Sequence, residues 1–160
     1  MSFTDWLLFL HIASAFALVA ALVTFWSVAI AARNVDRPVD SLRYFRISKP
    51  ANILITVGTI GTLIFGIWLA IDFDAYKVWD GWILIAIVLW AIAAGTGQRG
   101  GMTYQQAAQL AGRLDAENRG AEPSAELKAM LQNRQAMWLT IISSVAVLLI
   151  LIDMIYKPGA

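Results

Sequence analysis

Hydrophobic and polar positions divide the chain into four long apolar runs separated by polar connections. The runs are Trp6–Ala32, Ala51–Ile71, Trp79–Thr96 and Ala136–Tyr156. The first has no charged side chain between Asp5 and Arg33 and is longer than the ~20 residues a helix needs to cross a bilayer's hydrocarbon core. The others are near spanning length once tilt and interface overlap are allowed for. Trp6, Tyr76, Trp79, Trp82, Trp138 and Tyr156 stand at the ends of runs, where amphipathic rings settle at the membrane–water interface. The predicted fold is all-α: a four-helix transmembrane bundle forming one integral membrane domain over residues 1–160, with a cytoplasmic helical hairpin between helices 3 and 4.

The connections refine this picture. Lys49-Pro50 suits a helix start at the membrane surface, so residues 33–49 read as a loop. Gly95, Gly97, Gly100 and Gly101 are expected to loosen the exit from the third helix. Thr103, Ala107, Leu110 and Leu114 then recur at helical spacing. After a turn at Asn118–Pro123, Leu127, Leu131, Arg134 and Trp138 resume that period. A hairpin over about 101–135 follows, its second arm continuous with the fourth crossing.

Composition agrees. The chain is 59% hydrophobic and 14% charged, against roughly 25% charged for an average soluble domain. Without cysteine, disulfides, thiolate metal sites, iron–sulfur clusters and cysteine nucleophiles are excluded. The first run lacks a basic leader and is too long for a signal sequence's apolar region.

Charge distribution predicts orientation. Arg33, Arg37, Arg43, Arg46 and Lys49 lie in the first connection, and Arg99, Arg113, Arg119, Lys128 and Arg134 in the third. The second connection has Lys77 among Asp72, Asp74 and Asp80, and the chain end adds Lys157. Ten of twelve basic residues thus fall on one side, the side expected to be cytoplasmic. Both termini are expected outside. The arginines of the first connection suit topological retention or anionic lipid headgroups.

Two rows of small residues predict close helix packing. Gly58, Thr62 and Gly66 recur every four residues in the second run, as do Ala13, Ala17 and Ala21 in the first. Apolar lipid gives helices no hydrophobic drive to associate, so close approach has to supply it. Such faces serve packing within the bundle or the seam of a homodimer.

Few residues inside the runs can carry chemistry. His11, the only histidine, lies five residues inside Trp6, about 7.5 Å at 1.5 Å per residue. Asp153 lies three residues inside Tyr156, about 4.5 Å deep. Four crossings put both on one side of the membrane, below a rim of Asp5, Asp72, Asp74 and Asp80. Ser143, Ala146, Ile150 and Asp153 share one helix face, and Ser14 is one turn from His11. Three readings compete: a structural pair of His11 with Asp153; a metal or cofactor site, with imidazole on haem iron or copper and Asp153 as ligand or orienting group; and a proton or cation site made with the rim carboxylates. One histidine makes a bis-histidine haem site only across a two-fold dimer; Met154 is the weaker second ligand on the same side. No catalytic residue is assigned, because phosphate-cradling, zinc-binding and Ser-His-Asp patterns are missing. The basic loops lack the aromatic interleaving of nucleic-acid binders, so nucleic acid is not an expected partner.

Leu10-His11-Ile12, Leu42-Arg43-Tyr44-Phe45-Arg46 ahead of a glycine-rich helix, and Tyr156-Lys157-Pro158 together resemble the bacterial superfamily of small helical membrane proteins that includes the copper-resistance protein CopD and the protoporphyrinogen oxidase HemJ. The chain looks most like that superfamily's uncharacterised four-crossing members. The resemblance implies the bacterial inner membrane, and it aligns His11 with the first-helix histidine that HemJ-like members use for haem. This chain departs in having no lysine or second histidine within its membrane runs and an apolar third run, which points away from protoporphyrinogen oxidation. The expectation is a non-enzymatic accessory or assembly component of a membrane complex, with the bilayer and other membrane subunits or a second copy as partners. A haem- or copper-binding redox protein using His11, and a proton or cation transporter, are the alternatives.

Overall fold

The computed structural model describes residues 2–72 and 77–157, so Asp74 and Tyr76 of the expected rim and Pro158 of the terminal motif lie outside the described residues. The described chain is helical: α1 (Phe3–Ala32), α2 (Pro38–Asp72), α3 (Gly81–Ala116), α4 (Ala125–Leu131) and α5 (Arg134–Tyr156). Four helical stretches are long and apolar enough to cross a membrane, the last spanning Ala125–Tyr156. Their exposed positions outside the bundle are apolar, including Val23, Ile53, Val88 and Leu148. The all-α four-helix membrane bundle is therefore the fold.

Element ends follow local chemistry. Ser2 caps α1 in a capping box: its Oγ accepts from the Asp5 backbone N–H at 3.2 Å, while Asp5 Oδ2 accepts from the Ser2 N–H at 2.6 Å. That satisfies two donors otherwise left open at a helix start. Helix α3 ends in a Schellman arrangement around Asn118, whose φ is 61°, with Arg119 N–H on the Leu114 carbonyl. Asn133 caps α5 by accepting from the Ala136 N–H at 3.0 Å.

Three boundaries differ from the expected ones. Helix α2 begins at Pro38, twelve residues before Pro50, which lies inside it. Pro38 stands at the first helical position, where a missing N–H costs nothing and the fixed φ suits the helix. The glycines at 95–101 do not end α3, which runs unbroken for 36 residues. The second arm of the hairpin is not continuous with the last crossing, because α4 stops at Leu131 and Asn133 restarts the chain as α5.

Helix α1 packs along α2, and α3 along α5; the α2–α3 contact is narrower. Each tight pair meets through glycine. A Cβ on Gly58 would stand 2.7 Å from the Leu18 backbone nitrogen, and one on Gly61 would run into Ser14 Oγ. Across the second pair, Cβ atoms on Gly97 and Gly100 would meet Ser143 Oγ and Thr140 Oγ1, each at 2.8 Å. These glycines thus serve interhelix approach rather than a loosened helix end. Of the alanine row on α1, Ala21 is buried, Ala17 half-buried and Ala13 exposed. A strict four-residue repeat drifts about 40° per step on a helix of 3.6 residues per turn. The contact face instead steps alternately by three and four, through Leu7, His11, Ser14, Leu18 and Ala21.

Bulkier groups join the two pairs. Trp90 on α3 donates to the Thr59 carbonyl on α2 at 3.0 Å, and Trp26 on α1 donates to Ser144 Oγ on α5 at 2.9 Å. Leu18 and Leu22 meet Ala93, Ala146 and Val147. At the basic end, Leu127 and Leu131 of α4 are fully buried with Ala32, Ala107 and Ala111, and Leu42, Tyr44 and Phe45 pack against them. Two backbone bonds fasten this cap: Val39 N–H to Gly120 O at 3.0 Å and Ser124 N–H to Asp36 O at 2.9 Å.

The glycine seams set stability. Gly58→Ala should lower the thermal midpoint in mild detergent by an amount matching an overpacking cost of about 1–3 kcal/mol. Gly112→Ala, where a Cβ meets nothing within 4 Å, should hold or raise it, since alanine is favoured over glycine in a helix by about 1 kcal/mol. Circular dichroism melts of the two variants make the comparison.

Candidate functional site: a cavity between the helix pairs

Small residues draw each pair together while tryptophans and leucines hold the pairs apart, and a cavity of about 1550 Å³ lies between them. Its walls are mostly apolar, with Phe16, Leu22, Ile55, Leu63, Ile87 and Trp90 among them. His11 and Met154 line one end; Lys49, Asn52 and Gln98 line the other.

His11 is placed by α2. Its Nδ1 is 3.0 Å from the Thr62 carbonyl oxygen. A carbonyl only accepts, so Nδ1 carries the proton, and in the neutral form of the ring Nε2 keeps its lone pair. Nε2 has no hydrogen-bond partner among the described residues. Gly66 makes room for the ring: a Cβ there would come within 2.8 Å of Cε1 and 3.0 Å of Nδ1. The bond uses a carbonyl inside α2 because Thr62 Oγ1 is already engaged, donating to Gly58 O at 2.6 Å. Ser14, one turn along, is buried and donates to its own helix at Leu10 O.

Asp153 is not brought to His11. It is only 7% exposed, no hydrogen bond or ion pair joins it to the imidazole, and it is not among the residues lining the cavity. Its Oδ2 is buried without a hydrogen-bond partner among the described residues. The structural partner of His11 is thus the Thr62 carbonyl, a group that residue types along the chain do not reveal. The helix face itself is as expected: Ser143, Ala146 and Asp153 are buried, and Ser143 donates to Ala93 O at 2.8 Å.

The rim carboxylates are occupied one by one. Asp5 closes the capping box, Asp72 Oδ2 accepts from Thr4 Oγ1 at 2.6 Å, and Asp80 Oδ2 accepts from the Lys77 N–H at 2.9 Å. No group of three His, Asp or Glu side chains able to hold a metal ion is found among the described residues. The polar groups at the Lys49 end were not singled out from sequence. Their signal was there, in the helical spacing of Lys49, Asn52, Thr56 and Thr59 and of Gln98, Gln105 and Gln109, but solvated helix ends look the same.

Two measurements check this placement. With one histidine in the chain, ¹⁵N-histidine spectra of the labelled protein should report a single neutral ring protonated at Nδ1, and Gly66→Ala should move both ring signals. Asp153→Leu, which keeps the count and branching of side-chain heavy atoms, should hold or raise the thermal midpoint, because a buried unsatisfied oxygen costs about 1–3 kcal/mol. A fall of that size would mean that the carboxylate has a partner.

No curated protein and no solved structure matches the chain. A family model described as a predicted integral membrane protein matches residues 5–158. With nearly its whole length matched, and with four helices of spanning length, the chain belongs to this family, DUF2269, of predicted integral membrane proteins.

Proposed function

We propose that the chain is a non-enzymatic membrane component that holds a lipophilic small molecule between its two helix pairs. The observation that carries this reading is the cavity, about 1550 Å³ and walled mainly by aliphatic and aromatic side chains. Small-molecule pockets are typically about 300–1,000 Å³, mostly apolar, with a few placed polar groups. In a bilayer such a space fills with a lipid chain or a ligand, since the glycine seams and tryptophan spacers oppose its collapse. The charge bias supports an orientation with the basic connections in the cytoplasm and both termini outside a bacterial inner membrane.

His11 supports a second reading, in which the molecule held is a prosthetic group. The ring is fixed through Nδ1, its Nε2 lone pair is uncommitted, and Met154 lines the same cavity. Imidazole with thioether is a donor set that suits haem iron and, less selectively, copper. Such a group would supply one-electron chemistry, while the protein would hold it through His11 and Met154 and exclude water with apolar walls. Cation transport has less support, because no carboxylate lines the cavity among the described residues. A role as a subunit of a larger complex, or as a homodimer, would use the apolar outer faces of the bundle. The cytoplasmic-type hairpin contributes little there, as its buried leucines are packed against α1, α2 and α3.

Protein purified in mild detergent, extracted into organic solvent and analysed by mass spectrometry should yield a lipophilic molecule near one per chain. Ala94→Phe, which fills the middle of the cavity, should lose it. An absorption spectrum of the same sample separates the readings: a Soret band abolished by His11→Ala assigns haem, and a colourless, metal-free protein with bound lipid assigns the first. Protein that carries nothing sinks both.

A further inference from the structure

Among the described residues, the charged groups lining the cavity are of one sign: two ammonium groups, Lys49 and Lys157, with no carboxylate beside them in the lining. Lys157 lies at the His11 end, with its Nζ 5.5 Å from the Trp82 ring centroid. Lys49 lies at the other end, beside the basic connections, with Asn52 on α2 and Gln98, Gln105 and Gln109 on α3. The three glutamines are seven and four residues apart, so they share one helix face. Lys49, Asn52 and Thr56 do the same on α2. Both stripes border the same cavity, so this mouth presents one cation and four carboxamides, all able to donate hydrogen bonds. Lys49, Asn52 and the three glutamines are exposed, so their donors are accessible to an anion at the edge of the apolar space.

The mouth also has room. Gly101 sits between Gln98 and Gln105 and lines the cavity, and a Cβ on it would meet nothing within 4 Å. Along α2, Lys49 and Thr62 are 13 residues apart, about 20 Å of helix. That distance separates the polar mouth from the His11 end, with apolar side chains between.

We infer that the cavity takes a single-chain amphiphile with an anionic oxygen head group, its head at Lys49 and the α3 glutamines and its chain running toward His11. This rests on the ligand-holding reading above and adds to it the charge of the ligand, its direction and its point of entry. The head group meets Lys49 and a fan of amide donors, which a neutral alcohol uses incompletely and a cation opposes. The chain lies against side chains as apolar as lipid, so the head group supplies the selectivity.

Native mass spectrometry of the full chain in a nonionic detergent tests this, with oleate, oleyl phosphate and oleyl alcohol as probes sharing one hydrocarbon chain. At least one of the two anions should bind one per chain, about tenfold or more tighter than the alcohol. Lys49→Gln should bring the anion down to the level of the alcohol, and Gly101→Phe should block all three. Lys128→Gln, on the exposed side of α4, should change nothing. Anions that bind no tighter than the alcohol overturn the inference and leave the ligand-holding reading intact. Anion binding that survives both Lys49→Gln and Gly101→Phe puts the site elsewhere on the basic surface and also overturns it. If none of the three binds, and nothing co-purifies, both readings fall together.

Discussion

Close backbone approach at glycine is the constraint on which the rest of this structure depends. In lipid, helices gain nothing from hiding apolar side chains from apolar neighbours, so packing and interhelix hydrogen bonds have to hold them together. Gly58 and Gly61 let α1 lie directly on α2, and Gly97 and Gly100 let α5 lie on α3. Hydroxyls of Ser14, Ser143 and Thr140 fill the seams and bond backbone carbonyls. These three hydroxyls are thereby paired where the helices meet.

The same seams explain why the bundle is hollow. Pairs joined by glycine are tight, while pairs joined by Trp26, Trp90, Leu18 and Leu22 are spaced by large side chains. Two tight pairs held apart leave a partly open space between them, with mostly apolar walls. His11 belongs to both features. Its ring is held in the α1–α2 seam by the Thr62 carbonyl and the bare face of Gly66, and it borders the cavity as well.

The cap at the basic end buries the apolar face of the hairpin's second arm. Its leucines at 127 and 131 recur at helical spacing as an amphipathic docking face would, yet they are consumed by Ala32, Ala107 and Ala111. The cap ties the α1–α2 connection to the α3–α4 turn through backbone bonds. It therefore fixes how the two pairs sit relative to one another at that end, and with it the width of the mouth near Lys49.

Apolar run length and charge bias were enough, from sequence alone, to determine the number of crossings, the all-α class and which connections share a side. These are one-dimensional properties: a run of about 20 apolar residues has few options in a bilayer other than to span it. The inward face of α5 was legible as well, because Ser143, Ala146 and Asp153 repeat at helical spacing. Helix limits were less so, since Pro38 and Pro50 are equally good starts until the cap around Leu127 decides between them. The surroundings of His11 and Asp153 were not legible at all. Both lie at similar depth near one end of the bundle, but which faces they turn depends on helix rotation, and rotation is set by the glycine seams. Only the tertiary structure could give the imidazole to a backbone carbonyl, leave the carboxylate outside the cavity, and set Lys49 and three glutamines, 49 to 60 residues away, along the same cavity.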